Sequence, residues 1–268
     1  MAAVLHGLLP YARHEAGKTG YPGQLIIVLP ETTPWRNVAA HPPLAPGVTH
    51  VWRASLNAHA GSDEVLDNDE RAKAARLVKE EHRLRYAMAQ TILRHLLGRY
   101  TGAHPRDVAF VRGPQGKPYL PQGSLQFNIT HSGDLLLAAF CVDQEVGVDV
   151  EKVEPKRPVL SLARRYYTPA ELDWLKTLDN DTQARAFFQL WTLKEAFLKA
   201  RGTGLSGGLN TFEYRINQPG PPELVWTKPE HGVPTDWSSV RLHPDSDYAA
   251  ALVVSGELGA VELFEWTE

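Results

Sequence analysis

The sequence contains a single cysteine, Cys141, in 268 residues. An internal disulfide is therefore excluded, and a protein of the reducing cytoplasm is expected. Cys141 ends the apolar run Leu135–Cys141. We expect a buried structural thiol there rather than a nucleophile, because free cysteine behaves as a small hydrophobic residue.

An excess of charge of one sign is also missing. The formal net charge is −3, so we expect no long-range attraction to nucleic acid or to an anionic membrane. Any anion has to be bound by local basic clusters. No apolar stretch approaches the roughly 20 residues of a membrane helix. The N-terminus has neither the basic start nor the apolar core of a secretion signal.

The chain divides by composition into three parts. Residues 1–46 are rich in Pro, Gly and His and predict an extension with at most one strand, Leu25–Leu29. Residues 47–146 and 147–268 each place helical periodicity before alternating strands. This order predicts two similar α+β halves.

In the first half, Asp67 or Asn68 is expected to cap a helix through Ala72–Val78. A second helix, about Glu81–Leu97, is expected to end at Gly98. The predicted strands are Val108–Val111, Leu125–Ile129, Leu135–Cys141 and Glu145–Val150.

In the second half, Thr168–Glu171 forms a capping box with proline at the first helical position. Asp181 is expected to cap a longer helix that ends near Ala200. The predicted strands are Thr211–Arg215, Leu224–Trp226, Tyr248–Val254 and Ala260–Phe264.

The segment G-V-D-V-E, Gly147–Glu151, carries two acids on one face of a predicted strand. Strand alternation turns Val148 and Val150 into the core, so Asp149 and Glu151 point together to the other face. Two adjacent carboxylates repel each other, and a hard divalent cation such as magnesium relieves that repulsion. A solvated strand face that happens to carry two acids is the alternative.

The segment W-T-L-K-E-A-F-L-K, Trp191–Lys199, predicts a helix with an apolar stripe. The stripe consists of Leu190, Leu193, Phe197 and Ala200. Glu195 and Lys199 lie four residues apart on the far side of this helix. They form either a weak exposed ion pair or, with the strand acids opposite, a third oxygen ligand and a cation for a phosphate.

Two further segments present cations. Gly116-Lys117-Pro118 is a turn that displays a lysine, and F-N-I-T-H-S-G, Phe127–Gly133, places His131 and Ser132 at a strand end. Side chains and backbone N–H groups at such a strand end can meet an anion. A histidine that only hydrogen-bonds within the fold is the alternative.

Arg85 heads the apolar stripe of the second predicted helix, three and seven residues before Met88 and Ile92. A partly buried guanidinium needs an anionic partner, which is either a ligand or an internal carboxylate. Arg71 and Lys73 lie one helix earlier and add to the same field or only solubilise the surface.

Together these segments resemble the 4'-phosphopantetheinyl transferases of the larger surfactin-synthetase-activating (Sfp-type) class. The G-K-P, F-N-I-T-H-S-G, G-V-D-V-E and W-T-L-K-E-A-F-L-K segments, followed by G-x-G-L at Gly202–Leu205, keep that family's order and spacing. The resemblance covers about Thr49 to Glu268. It implies an α+β monomer whose two halves are related by a pseudo-two-fold axis, with coenzyme A in the cleft between them.

The resemblance also implies residue roles. Asp149, Glu151 and Glu195 would hold magnesium, or manganese as an alternative, and Glu195 and Lys199 would be catalytic. The coenzyme A-binding residues would be Arg71, Lys73, Arg85, Lys117, Pro118, Thr130, His131, Asp149 and Lys199. Glu70 occupies a position that is often basic in the family, and Thr130 replaces a more frequent serine while keeping the hydroxyl.

The implied reaction transfers 4'-phosphopantetheine from coenzyme A to a serine of an acyl or peptidyl carrier protein and releases 3',5'-ADP. Two alternatives share part of the pattern. A non-catalytic coenzyme A or nucleotide binder would keep the cations without needing the three acids. A magnesium-dependent phosphohydrolase would use the acids without a carrier protein.

Overall fold

A computed structural model describes residues 28–38, 42–57, 64–121, 123–204, 207–217 and 220–267. The helices are α1 (Asn68–Ala75), α2 (Glu80–Thr101), α3 (Val159–Tyr166), α4 (Pro169–Lys176) and α5 (Asn180–Arg201). The strands are β1 (Arg36–Asn37), β2 (Val48–Ser55), β3 (Val111–Arg112), β4 (Pro118–Tyr119), β5 (Leu125–Ser132), β6 (Leu135–Val142), β7 (Val146–Lys152), β8 (Phe212–Ile216), β9 (Pro222–Thr227), β10 (Trp237–Leu242), β11 (Tyr248–Ser255) and β12 (Ala260–Glu265). No helix in these ranges is long and apolar enough to cross a bilayer.

The same run of elements occurs twice along the chain. The first run is β2, α1, α2, the pair β3–β4, β5 and β6, and the second is β7, α4, α5, the pair β8–β9, β10 and β11. The neighbours β2-β6-β5 in one sheet correspond to β7-β11-β10 in the other. The predicted α+β fold of two similar halves is confirmed, with α3 as an addition in the second half.

The two sheets pack face to face, and one long helix covers the outside of each sheet. Valines of β7, such as Val148, pack against Leu137 and Ala139 of β6 between the sheets. Helix α2 packs Met88 and Ile92 on the first sheet, and α5 packs on β11 of the second. The edge strands β5 and β7 lie beside each other where the halves meet.

The described part of residues 28–46 spans both halves. Leu29 is buried in the cluster between the sheets, and the Trp35 indole Nε1 donates to the His243 carbonyl at 3.1 Å. Strand β1 pairs in parallel with β12, which itself pairs with β2 of the first sheet. The predicted strand Leu25–Leu29 lies mostly outside the described residues. The division at 47–146 and 147–268 stays a prediction.

The predicted stop at Gly98 is wrong. Helix α2 continues to Thr101, and Gly102 ends it in the left-handed conformation with φ of 75°. A Cβ on Gly98 would come within 2.8 Å of the Ala103 carbonyl oxygen. This glycine therefore serves close packing of the chain after the helix, and Gly102 serves as the C-cap.

Two other local predictions are also wrong. Val108–Val111 does not form the predicted strand. A 3₁₀ turn at Pro105–Asp107 precedes this segment, and only Val111–Arg112 pairs with another strand. Asp181 lies inside α5, and the Asp179 carboxylate accepts the Thr182 backbone N–H at 2.9 Å instead. Sequence periodicity does not distinguish between neighbouring candidates for a cap.

Gly147 lets α5 pack directly on β7. A Cβ on Gly147 would lie 2.0 Å from the Ala196 carbonyl oxygen and 2.4 Å from the Ala200 nitrogen. We expect Gly147→Ala to lower the free energy of unfolding in urea by about 1–3 kcal/mol, because helix backbone must move to make room.

The matched control for this change is Gly113→Ala. A Cβ on Gly113 finds its nearest neighbour, the Lys117 carbonyl oxygen, at 3.7 Å. Equal urea midpoints for the two variants would contradict the assigned role of Gly147.

Candidate active site

Three acids from a strand and a helix lie in one cluster. Asp149 and Glu151 come from β7 and Glu195 from α5. Asp149 is 4% exposed, and burial raises its pKa. Burial, followed by the charge of Asp149, raises the pKa of Glu195 to about 7, and Glu151 adds to the effect. A solvated strand face is therefore the wrong reading of these acids.

Lys199 reaches from α5 across to β7. Its ammonium donates to Asp149 Oδ1 at 2.6 Å and to Thr130 Oγ1 at 2.9 Å. The Thr130 hydroxyl in turn donates to Asp149 Oδ1 at 3.0 Å. The lysine is thus directed across the junction of the two halves.

Ser132 on β5 holds the second strand acid. Its hydroxyl donates to Glu151 Oε2 at 2.7 Å and accepts the Lys152 backbone N–H at 3.1 Å. Burial raises the pKa of Glu151, and the Ser132 hydrogen bond opposes that rise. This role of Ser132 was not predicted from the sequence. Strand alternation places Thr130 and Ser132 on the same face of β5, and this pattern could have predicted that both face the acids.

Two carboxylate oxygens in the cluster are buried without a hydrogen-bond partner, Asp149 Oδ2 and Glu195 Oε1. Buried polar atoms are normally paired, so each one requires an explanation. Among the described residues, no group of three His, Cys, Asp or Glu that could hold a metal ion is found. Carboxylate oxygens are nevertheless the protein ligands of magnesium, which takes its other ligands from water and substrate phosphates. The donor chemistry therefore fits magnesium.

A patch of positive charge borders the acids. The pKa of His131 is lowered by desolvation and then by the charges of Lys199, Arg85 and Lys73. Asp134 pairs with Arg85 at 2.6 Å, so the internal carboxylate expected for this guanidinium is present. Three basic side chains, from α1, α2 and α5, thus lie within electrostatic reach of His131 on β5.

The other predicted coenzyme A ligands lie in different settings. The Lys117 ammonium donates to the Ala200 carbonyl at 2.7 Å and to the Val146 carbonyl at 3.1 Å, which ties the end of α5 to the start of β7. Burial lowers the pKa of Lys117 to about 8. Pro118 begins β4, and Arg71 donates to Asn68 Oδ1 at 3.3 Å. Their contact with coenzyme A stays a prediction.

Glu70 has a structural reason to be acidic. It is buried, and its Oε2 accepts the Asp67 backbone N–H at 2.9 Å and the Arg94 Nε–H at 2.7 Å. Glu70 thereby completes the capping box of α1 and neutralises a buried arginine. A basic residue at this position would lose both interactions.

Family models match both halves of the chain. The 4'-phosphopantetheinyl transferase superfamily model matches residues 145–253, and the 4'-phosphopantetheinyl transferase N-terminal model matches residues 50–142. The 4'-phosphopantetheinyl transferase HetI of Nostoc sp. is 35% identical over 215 residues, which cover 77% of this chain and 87% of HetI. This chain belongs to the 4'-phosphopantetheinyl transferase family.

One further relative and one solved structure are also similar to this chain. The 4'-phosphopantetheinyl transferase Sfp of Bacillus subtilis is 33% identical over 58% of this chain and 68% of Sfp, so the transferase is of the Sfp type. The structure of the holo-[acyl-carrier-protein] synthase of Thermotoga maritima is 28% identical in sequence, with a TM-score of 0.35. The match covers 42% of this chain and 63% of the synthase chain. Members of the family are enzymes that transfer phosphopantetheine from coenzyme A to carrier proteins, and this activity is assigned to the present transferase.

Proposed function

We propose that this transferase moves 4'-phosphopantetheine from coenzyme A to a serine hydroxyl of an acyl or peptidyl carrier protein in a magnesium-dependent reaction that releases 3',5'-ADP. The observation that carries the proposal is the cluster of three acids next to Lys199, with two unpartnered buried oxygens. A non-catalytic binder would not need such a costly cluster, because buried like charges destabilise the fold.

Asp149, Glu151 and Glu195 are the residues that would hold the magnesium ion, or manganese in its place. The bound cation would neutralise negative charge on the pyrophosphate of coenzyme A as the phosphorus–oxygen bond breaks. The two unpartnered oxygens belong to Asp149 and Glu195, one on each side of the junction between β7 and α5.

Glu195 is the proposed base. A serine hydroxyl is a weak nucleophile until its proton is removed, and a base works best when its pKa lies near the working pH. The pKa of Glu195 is about 7 in the metal-free protein, and a magnesium ion bound beside it would lower that value and favour the ionised form. Lys199 would stabilise the negative charge that develops on the transferred phosphate.

The positive patch would bind the phosphates of coenzyme A. Lys73, Arg85 and His131 lie together beside Lys199, and phosphate recognition by Arg and Lys is a general pattern. Arg71, Lys117, Pro118 and Thr130 complete the proposed coenzyme A set. We further propose a cytoplasmic monomer that binds neither nucleic acid nor membranes, which agrees with the small net charge and the single cysteine.

The direct test is incubation with coenzyme A, magnesium and an apo-carrier protein, followed by mass measurement of the carrier. Transfer adds one phosphopantetheine group to a serine and releases one 3',5'-ADP. Release of 3',5'-ADP without carrier would instead indicate a phosphohydrolase. An unchanged carrier and intact coenzyme A would indicate a binding protein and would contradict the proposal.

Magnesium binding is expected to depend on pH through Glu195. The folded pKa is about 7 against an ordinary value of 4.5, so a proton competes with the metal below pH 7. The apparent affinity for magnesium with coenzyme A bound should fall by up to about tenfold per pH unit below that point and level off above it.

Titration calorimetry on the wild type and on Glu195→Gln measures this dependence. The variant serves as the control for the titration of coenzyme A itself. Identical pH profiles for the two proteins would contradict the assignment of Glu195 as a magnesium ligand.

A further inference from the structure

The two long helices each carry one buried cation at the same place. Counted from Glu80 and from Asn180, Arg94 and Lys194 are both the fifteenth residue of a 22-residue helix. Each cation pairs with the third residue of the preceding capping-box helix, Glu70 in α1 and Glu171 in α4. The duplicated fold has therefore kept two equivalent buried ion pairs.

The pair in the second half holds α5 on the side away from the acids. The Lys194 ammonium is fully buried and uses all three N–H bonds. It donates to Glu171 Oε1 at 2.7 Å, to the Leu209 carbonyl at 2.8 Å and to the Phe212 carbonyl at 2.7 Å. Glu171 Oε1 also accepts the Tyr214 backbone N–H at 2.9 Å. Helix α5 is thereby tied to α4 and to the chain that enters β8.

Lys194 directly precedes Glu195. Successive residues of an α-helix are about 100° apart around the axis, so fixing the direction of one side chain fixes the direction of the next. On the strand side, the contact of α5 with Gly147 sets the distance of the helix from β7. The anchoring of Lys194 adds to the core packing of Leu190, Leu193 and Phe197 in fixing the rotation of α5 about its axis.

We propose that Lys194 is a positioning residue, whose anchoring to Glu171, Leu209 and Phe212 keeps Glu195 directed at the two acids of β7. This inference rests on the proposed role of Glu195 in magnesium binding and transfer. Arg94 performs the equivalent anchoring for α2, which carries none of the three acids. Loss of the Lys194–Glu171 pair should therefore affect the reaction more than loss of the Arg94–Glu70 pair.

The experiment compares Lys194→Met/Glu171→Gln with the matched double variant Arg94→Met/Glu70→Gln. Both variants remove the cation and its buried glutamate together, because removal of one partner would leave the other buried and uncompensated. Asp67, which also pairs with Arg94 at 2.7 Å, is 46% exposed and stays solvated without it. Transfer to an apo-carrier is measured below the onset of unfolding of each protein. Magnesium affinity with coenzyme A bound is measured by titration calorimetry.

We expect the Lys194 double variant to lose kcat by on the order of 10- to 100-fold, the cost of a small misplacement of catalytic groups. Its magnesium affinity should fall as well, while its KM for coenzyme A stays within about threefold of wild type. The Arg94 double variant should keep kcat within about threefold. An equal loss of kcat in both variants, or in neither, would overturn the inference.

Three further variants complete the comparison. Glu195→Gln tests the proposed function separately. If it loses transfer while the Lys194 double variant keeps it, only the positioning role fails, and if it keeps transfer, the role of Glu195 fails. If the Lys194 double variant does not fold, Lys194→Arg against Arg94→Lys replaces the comparison, because each keeps a cation beside its glutamate and changes only the geometry of the anchor. Equal kcat for those two single variants would overturn the inference in the same way.

Discussion

Exchange of Asp149 for asparagine is expected to slow transfer by roughly 10²- to 10³-fold, which corresponds to about 2.7–4 kcal/mol of transition-state stabilisation. Asparagine keeps the size of the side chain and an oxygen for the hydrogen bonds from Thr130 and Lys199. It removes the negative charge that would hold magnesium. In phosphoryl transfer, positioning and electrostatics supply most of the catalysis, so the loss of one metal carboxylate has a large effect.

The fold is expected to survive this change. Asp149 is buried with one unpartnered oxygen and a raised pKa, so its ionised form is unfavourable in the metal-free protein. Thermal unfolding of the variant should remain a single cooperative transition. The exposed Asp173→Asn on α4 is the control and should transfer at the wild-type rate. Near-normal transfer by Asp149→Asn at saturating magnesium would defeat the assignment.

Exchange of Glu195 for glutamine is expected to reduce kcat by roughly 10²- to 10⁴-fold, the range attributed to general acid–base groups. Glutamine cannot accept the serine proton and is a weaker ligand for magnesium. The measurement is single-turnover transfer to an apo-carrier with coenzyme A in excess. The exposed Glu230→Gln is the control.

The same change is expected to act in the opposite direction on stability. The folded pKa of Glu195, about 7, lies above the ordinary 4.5. Its contribution to stability is therefore present below pH 4.5 and is lost as the pH rises through 7. At pH 8 without magnesium, Glu195→Gln should unfold at a temperature equal to or above that of the wild type. A clear drop in that temperature would show that ionised Glu195 stabilises the fold.

Residues that act through a short local pattern could be predicted from the sequence. Alternation in G-V-D-V-E placed Val148 in the core and Asp149 opposite it, and the structure confirms both. The helical stripe predicted for α5, Leu190, Leu193, Phe197 and Ala200, is likewise buried. These elements have a single pattern that both local propensity and burial favour.

Residues whose role depends on a distant partner could not be predicted in the same way. Glu70 and Lys194 occur in helices as ordinary charged residues, and their burial follows from Arg94 and Glu171 across a helix contact. Gly98 matched a C-cap because glycine is common there, whereas its role is close packing against Ala103. In each case two structural roles are equally compatible with the local sequence, and only the tertiary contact distinguishes between them.

The proposed metal site can be located in a crystal structure with coenzyme A and Mn²⁺, recorded at the manganese absorption edge. We expect one anomalous peak in contact with carboxylate oxygens of Asp149, Glu151 and Glu195 and with the pyrophosphate of coenzyme A. Coenzyme A phosphates should also contact the patch of Lys73, Arg85 and His131. A metal peak elsewhere, or a Glu195 side chain turned away from the two acids of β7, would show that these three acids do not form the metal site.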